Sequence, residues 1–318
     1  MKKAATVPAI SFFRRITLLF LILLSVLQAD AQKTAEYEIE TVESIIGTGE
    51  VTIETKEDLI VTGEDETRIV SRFDVRYIYQ ERASDNEHRI TLRLDESFDL
   101  SDEWTLGTRV DLPLRYNDRF NAVDNPNNDW EAGIGDVLLQ GLITRRHLTS
   151  FPWRKGIRNA LHLPWSTETW TVVPRFRWSA GMRTILPTAT GDQFGSGKWQ
   201  LGMLAALTYD IPEISQGSYV GLTVRNQFDI AGDSDRNDIN QLVLTPRMRL
   251  NIGSRWAFIT APNIRINLEN DNELFVPISG QLSYRDNATV YSLEVQHAIV
   301  DDFAIFDTQI EFRIGFFY

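Results

Sequence analysis

The feature that most restricts this chain is a two-residue alternation of apolar and polar side chains, sustained over segments of ten to fifteen residues from Arg68 onward. Trp104, Leu106, Thr108, Val110, Leu112, Leu114 and Tyr116 share one parity, with Thr105, Gly107, Arg109, Asp111, Pro113 and Arg115 on the other. Ile90-Leu92-Leu94 interleaved with Arg89, Thr91, Arg93 and Asp95 repeats the pattern, as does the run from Trp256 to Ile266. Side chains of a strand point alternately to its two faces, so each segment has one face for lipid and one for water. A strand crossing a bilayer at a tilt needs roughly 9 to 11 residues, against about 5 to 6 for ordinary sheets. These segments have the longer length.

Twelve strands follow, near residues 68–80, 88–99, 103–116, 133–145, 169–186, 199–210, 218–230, 239–250, 254–268, 273–285, 288–299 and 303–318. The expected fold is an all-β antiparallel transmembrane barrel of about twelve strands, an even number being the rule for single-chain bacterial barrels. Fourteen is the alternative, if residues 32–67 contribute a hairpin. Residues 117–131, 187–198 and 231–238 read as outer loops and 99–102 and 286–287 as periplasmic turns. One connection, 146–168, is long although it falls on the periplasmic side. Trp and Tyr gather where lipid meets water. The threading puts Trp104, Trp170, Trp256, Tyr209 and Phe98 at the periplasmic rim and Tyr77, Tyr79, Tyr116 and Trp199 at the outer one.

Before the barrel, Lys2, Lys3, Arg14 and Arg15 precede an apolar run from Ile16 to Leu27 and then Ala29-Asp30-Ala31. That is the pattern of a secretory signal peptide over residues 1–31, too short in its apolar part to span a bilayer as a helix. Removing it takes away four basic residues and Asp30, leaving 28 Lys and Arg against 43 Asp and Glu, a net charge of −15. This charge gives no support to nucleic-acid binding. The chain has no cysteine, which excludes disulfides and thiolate chemistry. Mean hydropathy is −0.21. A membrane barrel has such a value because lipid-facing residues are balanced by lumenal ones. Residues 32–67 form an acidic periplasmic segment or plug, rich in Glu from Glu36 to Glu66 with only Lys33 and Lys56 in opposition. The barrel proper is residues 68–318.

The strand phase also predicts the lumen. Arg72, Arg76, Arg89, Arg93, Arg109, Arg115, Arg183, Arg225 and Arg313 face inward, with Asp74, Asp95, Asp111, Glu294 and Glu311 among the acids. Arginine outnumbers acid there although the chain as a whole is anionic. Arg175, Arg177, Arg247, Arg249, Arg255 and Arg265 are the candidate selectivity residues, since guanidinium binds carboxylates bidentately. Arg247, Arg249 and Arg255 are expected to cluster in the periplasmic half. The competing reading is that these arginines only fill the barrel through ion pairs with Asp and Glu. His88, His147, His162 and His297 share no ligand spacing, and no serine has a histidine nearby on its face. No catalytic residue, metal ligand or cofactor is assigned, and an enzyme is not expected.

Two further signals bear on identity. Phe312, Ile314, Phe316 and the last residue, Tyr318, alternate to the terminus; they resemble the strand read by the barrel-assembly machinery. Gly133-Ile134-Gly135-Asp136-Val137-Leu138-Leu139, then Leu186-Pro187-Thr188 with Gly191, then Gly195-Ser196-Gly197-Lys198-Trp199-Gln200-Leu201-Gly202 resemble the outer-membrane family named after the phenol meta-cleavage (MetA) pathway. The Pro-Thr-Gly of that family is stretched here to Pro187-Thr188-Ala189-Thr190-Gly191. The resemblance implies a Gram-negative outer-membrane transporter of aromatic or other hydrophobic compounds. The expected partners are outer-membrane lipid and lipopolysaccharide, the assembly machinery and a small-molecule substrate, with the chain a monomer. A closed structural barrel without transport is the alternative and an outer-membrane lipid hydrolase the third reading.

Overall fold

The computed structural model describes residues 62–82, 85–118, 129–145 and 176–318. The expected signal peptide, the connection 146–168, Trp170 and Arg175 lie outside these residues. Fourteen strands are present among the described residues: β1 Arg72–Glu81, β2 Asn86–Asp99, β3 Trp104–Asn117, β4 Glu131–Ile134, β5 Val137–Arg145, β6 Phe176–Leu186 and β7 Lys198–Asp210. The remainder are β8 Tyr219–Gly232, β9 Asn240–Ile252, β10 Trp256–Thr260, β11 Ile264–Asn267, β12 Glu273–Asp286, β13 Thr289–Asp301 and β14 Thr308–Phe317. The strand pairings among the described residues are antiparallel, and β1 pairs with β14 from Arg72↔Phe317 to Glu81↔Thr308, which closes the sheet on itself. Closure leaves no strand edge unpaired in lipid.

The ring has twelve spans because two walls are each made of two strands. β4 and β5 both pair with β3, and β10 and β11 both pair with β12. The breaks fall at Gly135-Asp136 and at Ala261-Pro262-Asn263. Proline has no N–H for a ladder, so the second break is local chemistry. The fourteen-strand alternative is corrected by the closure itself, since β1 meets β14 with no hairpin between them.

The two faces of the wall differ as the alternation requires. Ile90, Leu94 and Phe98 of β2, Met203 and Leu207 of β7, and Leu293 and Val295 of β13 are exposed on the outside. Inside, Arg93 stands opposite Asp111 and donates twice to its carboxylate at 2.6 Å, and Arg109 and Arg72 share Asp95 at 2.6 and 2.7 Å. Aromatic rings mark the rims. Tyr116 stacks on Trp130 at 4.6 Å with His88 beside them at the outer end, while Trp256 packs on Tyr284 at 4.8 Å and Trp104 on Trp178 at 5.7 Å at the end carrying the C-terminus.

Candidate functional site

Ahead of β1, residues 62–71 run inside the barrel instead of extending the wall; the strand expected from Arg68 begins only at Arg72. Gly63 has φ +70, and a Cβ there would lie 2.4 Å from the Arg72 guanidinium, so this tight fold-back requires glycine. Asp65 fixes the next turn by accepting from the Thr67 backbone N–H at 2.9 Å and the Thr67 hydroxyl at 2.6 Å, and the Arg68 N–H closes it on Asp65 O at 3.0 Å. Ile69 fills the space left by lumenal Gly107, where a Cβ would meet its Cγ2 at 2.5 Å.

The folded-back segment touches strands on several sides of the lumen. Arg72 and Arg313 both donate to the Thr62 carbonyl, at 3.0 and 2.6 Å, and Arg249 reaches the Thr62 hydroxyl at 2.9 Å. Arg313 also holds Glu64 at 2.7 Å, where Gln281 donates to the same carboxylate oxygen and Arg247 to the Glu64 carbonyl. Arg177 binds Asp65 at 2.9 Å, and the Thr223 hydroxyl binds Glu66 at 2.7 Å. The Thr67 hydroxyl meets that of Thr208 at 2.7 Å. Burial alone would raise all three carboxyls. The guanidiniums outweigh it: Arg313 for Glu64, Arg177 for Asp65 and Arg247 for Glu66, so each is held below the ordinary carboxylate range.

The expected site residues are thus divided. Arg177, Arg247 and Arg249 converge on the folded-back segment, joined by Arg72 and Arg313. Arg265 faces the lumen farther out. Arg255 is a correction: it is exposed, donates to the Tyr284 hydroxyl at 3.0 Å and lies 3.7 Å from Asp286, apart from Arg247 and Arg249. It stands one residue before β10, its carbonyl accepting from the Arg285 N–H at 2.8 Å, and its side chain lies exposed at the rim.

Beyond the folded-back segment is a vestibule of about 370 Å³ whose floor is Gly63, Glu64 and Glu66. Its walls carry Arg76, Arg82, Arg89, Arg93 and Arg265, two acids, Glu294 and Glu311, and apolar Ile78, Ile259 and Ile305. The glycine-rich segments singled out in the sequence meet one another at the β4–β5 break. The Asp136 carboxylate accepts from the Ala189 N–H at 3.2 Å and from the Ser196 N–H and hydroxyl at 2.7 and 2.8 Å. Thr190 makes a two-way bridge to the Ile134 backbone, each bond 3.0 Å. The β6–β7 loop is thereby drawn in over the β4–β5 break. Phe194 of that loop is buried against Gly133, and its carbonyl accepts from Arg115 at 2.7 Å. His88 and His297 are bonded to Tyr77 and Thr308 on the outer face, so neither described histidine serves the lumen.

No family model and no curated sequence matches the chain. Solved structures do. The COG4313 outer membrane channel from Pseudomonas putida F1 superposes with a TM-score of 0.57 at 13% identity, covering 81% of this chain and all of that one. The fold is that of an outer-membrane β-barrel. With the apolar outer wall of the closed ring, this places the chain in the outer membrane. The NanC porin (TM-score 0.42, 14% identity, 77% of this chain and 99% of that one) and the outer membrane phospholipase A from Escherichia coli (0.43, 9%, 78% and 90%) are more distant.

Proposed function

We propose that this chain is an outer-membrane channel for small aromatic or anionic compounds, kept shut by its own acidic N-terminal segment. The observation that carries the reading is the nature of the plug's seat. Among the described residues no backbone-to-backbone hydrogen bond ties residues 62–67 to a wall strand; the contacts to the wall come from side chains. Such a segment can leave without breaking the barrel's ladders. A barrel with a merely structural role has no need of a removable obstruction. The docking of Asp136 on Ser196 supports the finer assignment to the phenol meta-cleavage family, and β14 is the natural signal to the assembly machinery.

In this reading Arg177, Arg247 and Arg249 have two states: bound to the plug when it is seated, and facing the open pore when it has left. Arg247→Gln with Arg249→Gln should therefore do two things in planar bilayers. Conductance should rise because the seat loses donors, and the reversal potential under a salt gradient should show weaker anion preference than a plug-deleted barrel with both arginines intact. The preference should fall with salt over a screening length of about 8 to 10 Å. Cation preference in the plug-deleted barrel would overturn the role given to these arginines, and absence of any conductance from it would overturn the channel.

A further inference from the structure

We propose that the outer vestibule is a binding site for a small carboxylate with an apolar body, gripped by Arg265 together with Arg82 and Arg89 while the plug is seated. The inference deepens the channel reading and rests on it. In the wall, Arg225 and Arg265 stand on either side of Val243 in register, both facing inward. The charged groups acting most strongly on Arg265 are all guanidiniums, those of Arg225, Arg89 and Arg82. Among the described residues Arg265 has neither an ion pair nor a hydrogen bond, and its Nε is buried without a partner. Across the cavity, Arg82 and Arg89 lie 2.9 and 3.4 Å from one carboxylate, Glu87, which Arg115 also contacts; Asp85 is 3.4 Å from Arg82. The outer end of the vestibule thus holds more guanidinium than carboxylate. A desolvated cation without a counter-charge is costly, and an anion bridging the facing arginines removes that cost.

The rest of the cavity sets the ligand's shape and orientation. Its inner acids are already engaged: Glu311 by Arg76 at 3.0 Å, Glu64 by Arg313, and Glu294 by Gln296 at 2.9 Å. They repel a second carboxylate, so the anionic end points outward to Arg265. Ile78, Ile259 and Ile305 offer the apolar surface for a hydrocarbon body. Phe275 stands directly opposite Arg265 in register and is itself wedged against Phe306 at 4.8 Å and Phe303 at 6.4 Å, which steadies this part of the wall. About 370 Å³ is at the small end of the range of ligand cavities, roughly 300 to 1,000 Å³. A single aromatic ring with a carboxylate fits that size.

Calorimetric titration of the folded, detergent-solubilised mature chain tests this without any current, so failure here is distinct from failure of the channel reading, which conductance decides. With sodium benzoate as probe, at fixed ionic strength, saturable binding is expected, with none for benzyl alcohol. Arg265→Gln should weaken benzoate about tenfold, the loss of one charge-assisted hydrogen bond. Arg265→Lys should retain part of the affinity, because the charge stays but the fork does not. Heat-modifiable gel migration reports that each variant is folded; should Arg265→Gln not fold, Arg89→Gln provides the same reading. Equal binding of benzyl alcohol, displacement by equimolar chloride, or unchanged benzoate affinity in the folded variant would overturn the proposal.

Discussion

Exchanging the three plug carboxylates for their amides, Glu64→Gln, Asp65→Asn and Glu66→Gln, is expected to turn a barrel that is mostly shut into one that is mostly open. The substitution keeps the size of each side chain and removes only its charge, so packing in the lumen is preserved. What is lost is the charge of the Arg313–Glu64 and Arg177–Asp65 contacts and of the field of Arg247 on Glu66. Charge-assisted hydrogen bonds contribute about 1.5–3 kcal/mol each, so the three changes together remove on the order of 5 kcal/mol. About 5.5 kcal/mol carries a two-state equilibrium from 99:1 to 1:99. Single-channel recording should therefore show long-lived open levels where the parent chain shows rare ones, with heat-modifiable migration unchanged. Conductance indistinguishable from the parent would mean that the segment is held by something other than these charges.

Acid should do to the parent chain what the amides do to the variant. Glu64, Asp65 and Glu66 are all held below their ordinary values when seated. A carboxylate lowered in the seated state stabilises that state above its ordinary value, near 4, and the stabilisation fades as pH falls through the lowered seated value. The guanidiniums facing them, which do not titrate in this window, are Arg313, Arg76 and Arg249 around Glu64, Arg177 and Arg68 around Asp65, and Arg247, Arg109 and Arg183 around Glu66; Glu294 also faces Glu64 across the vestibule. Conductance should accordingly be low and flat from neutral pH to about pH 5, then climb as pH falls below about 4. The triple amide variant is the control and should be open and indifferent to pH. A rise in the variant equal to that in the parent would assign the effect to wall carboxylates such as Asp210, which also binds Arg68 and Arg177.

The barrel was legible because its signal is repeated in every wall. Trp104 to Tyr116 alternates without fault and forms β3 from Trp104 to Asn117. The breaks were not legible, for a local reason. Trp256, Phe258, Ile264 and Ile266 keep one parity across Ala261-Pro262-Asn263, so the pattern reads straight through a gap in the ladder. Arg247 and Arg249 face inward as parity placed them, but the groups they hold, the Glu64 carbonyl and the Thr62 hydroxyl, come from outside the wall and could not be read from it. The excess of inward arginine over inward acid was the available clue, and the acid in residues 32–67 was its complement; only a fold-back, marked by Gly63, brings Glu64 to Glu66 onto them. Arg255 shows the opposite fault, a parity argument carried one residue past the end of its strand.

The carbonyl of Thr62 accepts from Arg72 on β1 and from Arg313 on β14, the two strands that join the beginning of the barrel to its end. Those strands are separated by most of the chain, so the join between them is the contact of greatest sequence separation and greatest loop-closure cost. Seating the segment is then also a latch on the seam. A ring still open cannot offer both guanidiniums to one carbonyl, so the latch engages only after the first and last strands have met. On the proposed reading of a plugged channel, insertion of the barrel and silencing of its pore would thereby be ordered in time: a nascent chain would pass through an open-seamed stage with unmatched arginines and become tight to solutes only once its seam had closed.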